Sequence, residues 1–319
     1  MRLLLSLLLV ASLLFSCKSE SEIEDQINQI PLEVSVIRFD SIFANAGPSD
    51  LAVLKEDYAM FFPERFPDSI WTNRMRDTLQ IEINEQVTKV FPDFNQQTQE
   101  LELLFKHLTH YFAEFSAPTV YTATDYVDYR NKVVALPEML VLSIDTYLGA
   151  DHYFYQGIPG YVAAQLHPEK IPVDVAMAYA KNYVTPPRQS TLLAHMIYQG
   201  KLLYVLDKVL PSHDDHLKIG YTAEQLEWSK ENEQYIWRYF IEKEVLFSTN
   251  NKLLTQFINP APFSKFYLEI DNESPGRIGA FIGWNMVRSY MQNNDVPLRL
   301  LLQKPAQEIY KNSKYKPAK

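Results

Sequence analysis

Hydrophobic residues recur at steps of three and four positions over much of the chain, which is the spacing of helices with one apolar face. The clearest example is the stretch 190–210, which a pair of prolines precedes and Pro211 follows. Ser190 or Thr191 is suited to accept the first free backbone N–H groups of a helix. The apolar positions of this stretch are Leu192, Leu193, Ile197, Leu202, Val205, Leu206 and Val209. The sequence therefore predicts a long helix that ends before Pro211.

The same spacing predicts further helices on both sides of this stretch. Short polar residues suited to N-caps open several of them, and Thr222-Ala-Glu-Gln225 has the pattern of a capping box. Because each helix has one apolar face, they are expected to pack around a common core. The predicted helical ranges are about 68–87, 96–112, 157–184 in one or two pieces, 222–246 and 275–291.

A small β-sheet is predicted in the middle of the chain. A further stretch, 33–39, is predicted as a strand or an extended arm. No Gly/Ser-rich linker and no repeat divides the sequence. We therefore predict an α+β, mostly helical fold, in which a three-stranded sheet is followed by a helical core. It would form a single globular domain over residues 33–304, with a solvated basic tail over 305–319. The three predicted strands are 119–123, 132–136 and 139–144.

The last predicted helix contains three glycines within eight residues. Each glycine inside a helix costs about 1 kcal/mol relative to alanine, so their presence needs a structural reason. Gly279 and Gly283 share one face of the helix, and close approach of a second helix is the usual explanation. We expect this face to pack on the 190–210 helix near Ala194, Tyr198 and Gly200.

The same helix carries candidate contacts for a partner protein. Arg277 and Arg288 are eleven residues apart and lie on similar faces, with Trp284 between them. Two arginines in this arrangement are suited to a carboxylate on a partner. The alternative, which we favour for the arginines, is that they form salt bridges within the chain.

The first 16 residues carry one arginine and then an apolar or small run, which is typical of a secretory signal and too short to span a membrane. Its end, Leu14-Phe15-Ser16-Cys17, is similar to a bacterial lipobox, in which the cysteine becomes the lipidated first residue of the mature chain. The alternative is an ordinary secreted protein with an unrelated cysteine. We expect a lipid anchor on Cys17, a tether over residues 17–32, and a place in the cell envelope outside the cytoplasm.

Composition narrows the possible partners. The 30 basic and 39 acidic side chains give a formal charge of −9, which argues against nucleic acid as a partner. Cys17 is the only cysteine, so a disulfide within the chain is excluded. Only 9 glycines stand against 20 tyrosines and 18 phenylalanines, which favours a helical fold packed through large aromatic side chains.

The middle of the 190–210 helix reads His195-Met-Ile-Tyr-Gln199, which resembles the His-Glu-x-x-His helix of zincin metallopeptidases. That chemistry needs two imidazoles on one helical face and a glutamate as the base. Met196 cannot take a proton, and Gln199 is a weak zinc ligand. We therefore predict a zincin-like core without catalytic residues, metal or cofactor. His195 is then either an ordinary packed histidine or, with Gln199, part of a vestigial pocket.

Four longer phrases, spread over nearly the whole chain after the signal, resemble the gliding-motility lipoprotein GldB family of Bacteroidota. The resemblance implies a lipid-anchored envelope component of the gliding apparatus, which works with type IX secretion. Only Cys17 acquires a role from the resemblance. The phrases are PDSIWTNRMRDTLQ, TLLAHMIYQGKLLY, IGYTAEQLEWSKENEQYIWRYFIEKE and INPAPFSKFYLEIDNESPGRIGAFIGWNMVRSYM.

These observations together predict a non-enzymatic envelope lipoprotein that acts by contact with gliding or secretion proteins. Two alternatives remain open: a hydrolase or peptidase with an unrecognised site, and a glycan-binding module. A cleft lined by converging titratable groups would favour the hydrolase, and an exposed aromatic strip would favour glycan binding. A broad apolar patch with a polar rim would favour protein contact.

Overall fold

The computed structural model of the chain describes residues 20–318. The predicted signal over residues 1–16 and the predicted lipidation site Cys17 lie outside the described residues. The described part is mostly helical with one small sheet, so the predicted α+β class is confirmed. Its α-helices are α1 Glu20–Asn28, α2 Phe39–Ala44, α3 Leu51–Asp57, α4 Asp68–Arg74, α5 Thr78–Val90, α6 Asn95–Tyr111, α7 Gly160–Ala163, α8 Ile171–Tyr183, α9 Leu192–Val209, α10 Asp215–Ile219, α11 Ala223–Glu231, α12 Glu233–Glu242, α13 Lys252–Phe257, α14 Ile278–Asn293, α15 Leu298–Gln303 and α16 Ala306–Asn312.

The sheet has four strands rather than three, in the order β1-β2-β4-β3. The three predicted strands are present, and the stretch predicted as a strand or arm supplies the fourth. That strand is only two residues long, because it pairs with β2 through Val36 and Ile37 alone. β1, β2 and β4 run parallel, and β3 is antiparallel to β4. The strands are β1 Val36–Ile37, β2 Thr119–Ala123, β3 Val133–Ala135 and β4 Met139–Ser143.

Two helices, α9 and α14, cross in the centre of the fold. α9 is buried on nearly all sides, as a helix that is apolar around its circumference must be. A methyl group added to Gly283 would overlap the Met196 carbonyl, and one added to Gly200 would overlap Gly283. The predicted close packing of the two helices is therefore confirmed at Gly283. Gly279 instead faces α13, where an added methyl carbon would lie 2.9 Å from the Phe257 carbonyl oxygen.

Two predicted helices are each divided in two. Asp77 accepts a hydrogen bond from the Leu79 N–H at 3.0 Å and caps α5, so the range 68–87 forms α4 and α5. The predicted capping box is confirmed, because Thr222 and Gln225 exchange hydrogen bonds of 3.0 and 3.2 Å. Asn232 then separates α11 from α12. Capping residues thus mark where these helices begin and where the predicted ranges are interrupted.

The prediction of a tether over residues 17–32 is wrong from Glu20 onward. Residues 20–28 form α1, which packs against α6. The Ile27 side chain on α1 is completely buried. The acidic residues of this stretch suggested that it is solvated, but the buried Ile27 side chain attaches the helix to the core.

The prediction of a solvated tail over residues 305–319 is also wrong. α16 packs against α9 and α14, and Ile309 is completely buried. After α16, the Tyr315 hydroxyl donates to the Glu233 carboxylate at 2.6 Å. Lys311 and Lys314, which suggested a tail, are exposed, while Ile309, Ser313 and Tyr315 face inward. The segment is therefore part of the folded core.

Within residues 20–318, the helices are all too short or too polar to cross a membrane.

Candidate functional site

The zincin-like stretch of α9 lies at the centre of the fold. Met196 is completely buried against α14, and the Gln199 side-chain oxygen accepts a hydrogen bond from Arg277 Nη2 at 3.3 Å. His195 is half-buried, and burial lowers its pKa. Among residues 20–318, no group of three or more His, Cys, Asp or Glu side chains is placed to hold a metal ion.

Gln199, but not His195, lines a large cleft. We call it the cationic cleft; its volume is about 490 Å³ and it lies between α8, α9 and the N-terminal end of α14. The two residues of the suggested vestigial pocket, His195 and Gln199, therefore do not line this cleft together. The basic residues of the cationic cleft are Lys132, Lys170, Lys181, Lys218 and Arg277, and its tyrosines are Tyr129, Tyr161, Tyr198 and Tyr221.

Arg277 is held in this cleft by an uncommon backbone conformation. Its φ of 62° lies in the left-handed region, which costs a non-glycine residue about 1–3 kcal/mol. The preceding Gly276 has no room for a side chain, since an added methyl group would overlap the Ala261 carbonyl. Arg277 Nη1 donates to the Ile219 carbonyl at 2.8 Å. The guanidinium is thus fixed between α9, the end of α10 and the start of α14.

Lys170 is the second cation at the bottom of the cleft. Its side chain is nearly completely buried, and its Nζ donates to the Leu217 carbonyl at 2.5 Å. Burial lowers the pKa of Lys170 to about 8; nearby Asp174 opposes this shift, while Lys132 and Arg277 add to it. A buried ammonium group without a close carboxylate is costly to keep charged.

Few negative charges balance these cations. Asp174 is the one carboxylate among the residues lining the cleft, and it accepts from Lys132 Nζ at 2.5 Å and from the Tyr147 hydroxyl at 3.0 Å. Lys218 pairs with two carboxylates outside the cleft. Within residues 20–318, Lys170 and Arg277 have no ion pair. The cleft is therefore positively charged in a chain whose formal charge is −9.

Tyr221 lines the same cleft. Its side chain is 5% exposed, and its hydroxyl has no hydrogen-bond partner of acceptable geometry among the described residues. Burial raises the pKa of Tyr221 well above its usual range, and the nearby Arg277 charge and Ser229 hydroxyl oppose this only in part. The conformation of this segment is set by Gly220, whose φ of 78° ends α10.

The other two predicted partner contacts on α14 are internal. Arg288 binds Asp207 through Nε at 2.7 Å and Asp215 through Nη1 at 2.7 Å, so internal salt bridges are confirmed for this residue. Trp284 is 1% exposed, and its Nε1 donates to Asp207 at 2.9 Å. The Arg288 guanidinium also stacks over the Trp284 ring, 3.7 Å from its centroid. The prediction that Trp284 and Arg288 contact a partner is wrong, since they tie α14 to α9 and α10.

A second, smaller cleft of about 310 Å³ lies beside the sheet, and we call it the aromatic cleft. Met60 and Phe66 at its edge are 47% and 37% exposed. Trp71 is partly buried, with the edges of Phe62 and Phe66 against its ring. Polar groups of Asp40, Arg74 and Asp125 also line it. Its apolar residues include Phe39, Phe43, Met60, Phe61, Phe62, Phe66 and Trp71.

Asp145 organises the loop next to this cleft. It follows β4 and is completely buried; one carboxylate oxygen accepts from the N–H groups of Asp125 and Val127 at 2.9 and 2.8 Å. Its other oxygen has no partner among the described residues. Tyr126 and Val127 both have positive φ angles, 51° and 60°, which is strained for a β-branched residue. Burial raises the pKa of Asp145 to about 6.

Sequence reasoning found Arg277 and Gln199 but missed Lys170 and Tyr221. Arg277 stood out because of its spacing from Arg288 on one helix, and Gln199 because of the zincin-like spacing. Lys170 lies between two prolines, and Tyr221 follows Gly220, so no periodicity or motif singled them out. Only their burial against distant segments reveals them.

Comparison with known proteins identifies the family. A family model described as gliding motility protein GldB matches residues 20–317 of the chain. No curated protein and no solved structure matches it. The zincin-like architecture therefore stays a prediction that rests on the stretch His195–Gln199. Because the family match extends over nearly all of the described residues, the chain belongs to the gliding motility protein GldB family.

Proposed function

We propose that this gliding-motility protein is anchored in the cell envelope by a lipid on Cys17 and supports the motility and secretion machinery by binding other proteins, without catalysis. Membership of the gliding motility family supports its role in motility. The proposal concerns how it contributes: by anchoring and by contact.

The anchor supports a position of the folded chain close to the membrane. Only Lys18 and Ser19 separate Cys17 from α1, and a span of three residues reaches at most about 11 Å. Since α1 packs against α6, a lipid on Cys17 would hold the core near the bilayer surface. Several acyl chains on one cysteine give lasting attachment, whereas one gives reversible binding.

The observation that carries the non-catalytic part is the chemistry of α9. At the position where a zincin has its glutamate base, Met196 is completely buried in the contact with α14. At the second imidazole position, Gln199 accepts a hydrogen bond from Arg277. A thioether and an occupied amide cannot supply a base and a second zinc ligand.

One observation bears on the hydrolase alternative: titratable groups converge in the cationic cleft. Five of them are cations, however, four are tyrosines, and the one carboxylate, that of Asp174, already binds Lys132 and Tyr147. General acid–base hydrolysis needs a base free to accept a proton from water or a nucleophile. The cleft is therefore better suited to binding than to hydrolysis.

The aromatic cleft has the chemistry expected for protein contact. Partly exposed Met60 and Phe66 border an apolar depression, and charged groups of Asp40, Arg74 and Asp125 lie at its sides. Apolar anchors surrounded by polar groups are the usual composition of the centre of a protein interface. We place the partner-binding surface here.

The proposal can be tested by cross-linking in the envelope of a gliding bacterium. A photoreactive amino acid replaces Phe66 in the full-length protein, and a matched variant carries it at Tyr235, which is 63% exposed and outside the aromatic cleft. We expect adducts with motility or secretion proteins from position 66 only. Equal adducts from both positions, or none from position 66, would contradict the proposed surface.

The anchor has a separate test. Metabolic labelling with a palmitate analogue should mark the wild-type protein and leave Cys17→Ser unlabelled, with the variant lost from the membrane fraction. A Cys17→Ser protein that stays in the membrane fraction through a salt wash would contradict lipid anchoring. This outcome is independent of which partner the aromatic cleft binds.

A further inference from the structure

Two cations of the cationic cleft, one buried and one half-buried, have no carboxylate bonded to them among the described residues. Lys170 is 4% exposed and Arg277 is half-buried, and neither has an ion pair within residues 20–318. Isolated charges in a protein interior are costly unless they are paired and hydrogen-bonded. A fold that keeps two of them beside an open cavity is arranged for an external anion.

The donors in the cleft are only partly used by the protein. A guanidinium has five N–H donors, and Arg277 directs one to the Ile219 carbonyl and one to Gln199. Lys170 gives one of its three donors to Leu217. The Tyr221 hydroxyl is buried next to the Ser229 hydroxyl and has no hydrogen bond of acceptable geometry among the described residues. Several N–H and O–H groups are thus available to oxygen atoms in the cavity.

The protein also fixes the position of the guanidinium before any ligand arrives. Arg277 keeps a left-handed backbone, and contacts from α9 and α10 hold its side chain. Strained backbone of this kind persists where the surrounding structure enforces it, commonly at ligand sites. A guanidinium held in place binds a planar or tetrahedral oxyanion at a lower entropic cost.

We infer that the cationic cleft binds a small molecule or terminal group that carries an oxyanion, a carboxylate or a phosphate, through Arg277, Lys170 and Tyr221. The cavity of about 490 Å³ is within the range of small-molecule sites, which run from about 300 to 1,000 Å³. Tyr129, Tyr161 and Tyr198 supply aromatic walls for the rest of the ligand. This site is separate from the aromatic cleft, and the inference holds whether or not that cleft binds a protein.

The test uses the full-length protein in a neutral detergent and two simple anions. Line broadening of trifluoroacetate in ¹⁹F spectra reports carboxylate binding, and broadening of inorganic phosphate in ³¹P spectra reports phosphate binding. Trifluoroethanol, which is uncharged, serves as the control probe. We expect at least one anion to be broadened by the wild-type protein while trifluoroethanol is unaffected. The anion that responds identifies the headgroup of the ligand.

Three variants tie the signal to the cleft. Arg277→Gln should weaken binding by about tenfold or more, the loss expected for one charge-assisted hydrogen bond. Arg238→Gln is the matched control, because Arg238 is exposed and lies over Tyr235 outside the cleft. Tyr221→Phe, which keeps the shape of the side chain, carries the test if Arg277→Gln fails to fold. It should weaken binding by a few-fold.

Two results would overturn the inference. One is that neither anion is broadened more than trifluoroethanol by the wild-type protein. The other is that Arg238→Gln reduces binding as much as the variants in the cleft, which would indicate adventitious ion binding to surface charge.

Discussion

At the residue scale, Gly283 decides how close α14 can come to α9. Its position leaves no room for a methyl group, because the backbone of Met196 occupies that space. Backbone atoms cannot move away as the end of a flexible side chain can. The contact therefore holds the two central helices at a fixed separation, and with them Gln199 and Arg277.

We predict that Gly283→Ala destabilises the protein by about 3 kcal/mol or more, because the added methyl group forces the helices apart. Gly160→Ala is the matched control, since a methyl group there meets no atom within 4 Å. It should change stability by less than about 1 kcal/mol. Urea unfolding measures both. A loss at Gly283 no larger than that at Gly160 would contradict the observed packing.

Asp145 gives a prediction about pH. Its pKa is raised by burial from 3.8 to about 6, so between these values the folded state binds more protons than the unfolded state. The contribution of Asp145 to stability must then fall as pH rises from about 4 to about 6, and stay low above that. Asp145→Asn keeps an acceptor for the Asp125 and Val127 N–H groups but removes the buried charge.

Relative to the wild-type protein, Asp145→Asn should therefore gain about 1–3 kcal/mol of stability between pH ~4 and pH ~7. Urea unfolding of both proteins at the two pH values gives this difference in the free energy of unfolding. The contributions of the other titrating groups are the same in both proteins and cancel. A difference that does not change with pH would mean that Asp145 is not destabilised by burial in the folded state.

Some expectations at this scale follow from side-chain chemistry alone and stay predictions. The identities of Met196 and Gln199 are sufficient by themselves to speak against a zincin site. The bonding partners of Arg288 and Trp284 could be identified only from the fold, since Asp207 and Asp215 lie on other helices. The buried positions of Lys170 and Tyr221 depend on segments far away in sequence, which no local pattern can report.

At the element scale, the C-terminal helix α16 shows what the sequence concealed. Lys311 on this helix and Lys314 after it are exposed, and lysines of this kind led to the expectation of a solvated tail. The residues that face inward, Ile309 and Tyr315, are few. Their burial could not be predicted locally, because it depends on contacts with α9, α14 and Glu233. The strands and the Thr222 capping box could be predicted, because short stretches of sequence determine them without help from distant segments.

We predict that Ile309→Ala costs about 2–5 kcal/mol, the range for truncating a completely buried aliphatic side chain. Leu300→Ala on the neighbouring α15 is the matched control, because Leu300 is 54% exposed. Its cost should stay below about 1 kcal/mol. Equal midpoints of urea unfolding for the two variants would mean that residues 305–318 are a tail outside the folded core.

At the scale of the whole molecule, one pair of crossed helices positions the chemistry. α9 supplies Gln199 and Arg277 directly precedes α14, so the packing of these two helices builds one side of the cationic cleft. The packing of this pair could be predicted from the glycines of α14. The cleft could not, because its other sides come from α8 and the segment around Tyr221.

The molecule also combines separate surfaces with an anchor that would keep both near the membrane. The aromatic cleft is adjacent to the sheet, and the cationic cleft is formed by the central helices. Because α1 joins the core directly, a lipid on Cys17 leaves little slack between bilayer and protein. A protein arranged in this way is suited to act on its neighbours in the envelope by contact.

The most direct test of this account replaces the family member of a gliding bacterium by two variants and measures the rate of cell gliding. His195→Ala removes the one imidazole of the zincin-like stretch, and Cys17→Ser removes the predicted anchor. The account predicts wild-type gliding for His195→Ala and loss of gliding for Cys17→Ser. Loss of gliding by a His195→Ala protein that is present at normal levels in the membrane, together with loss of a bound metal ion, would contradict it.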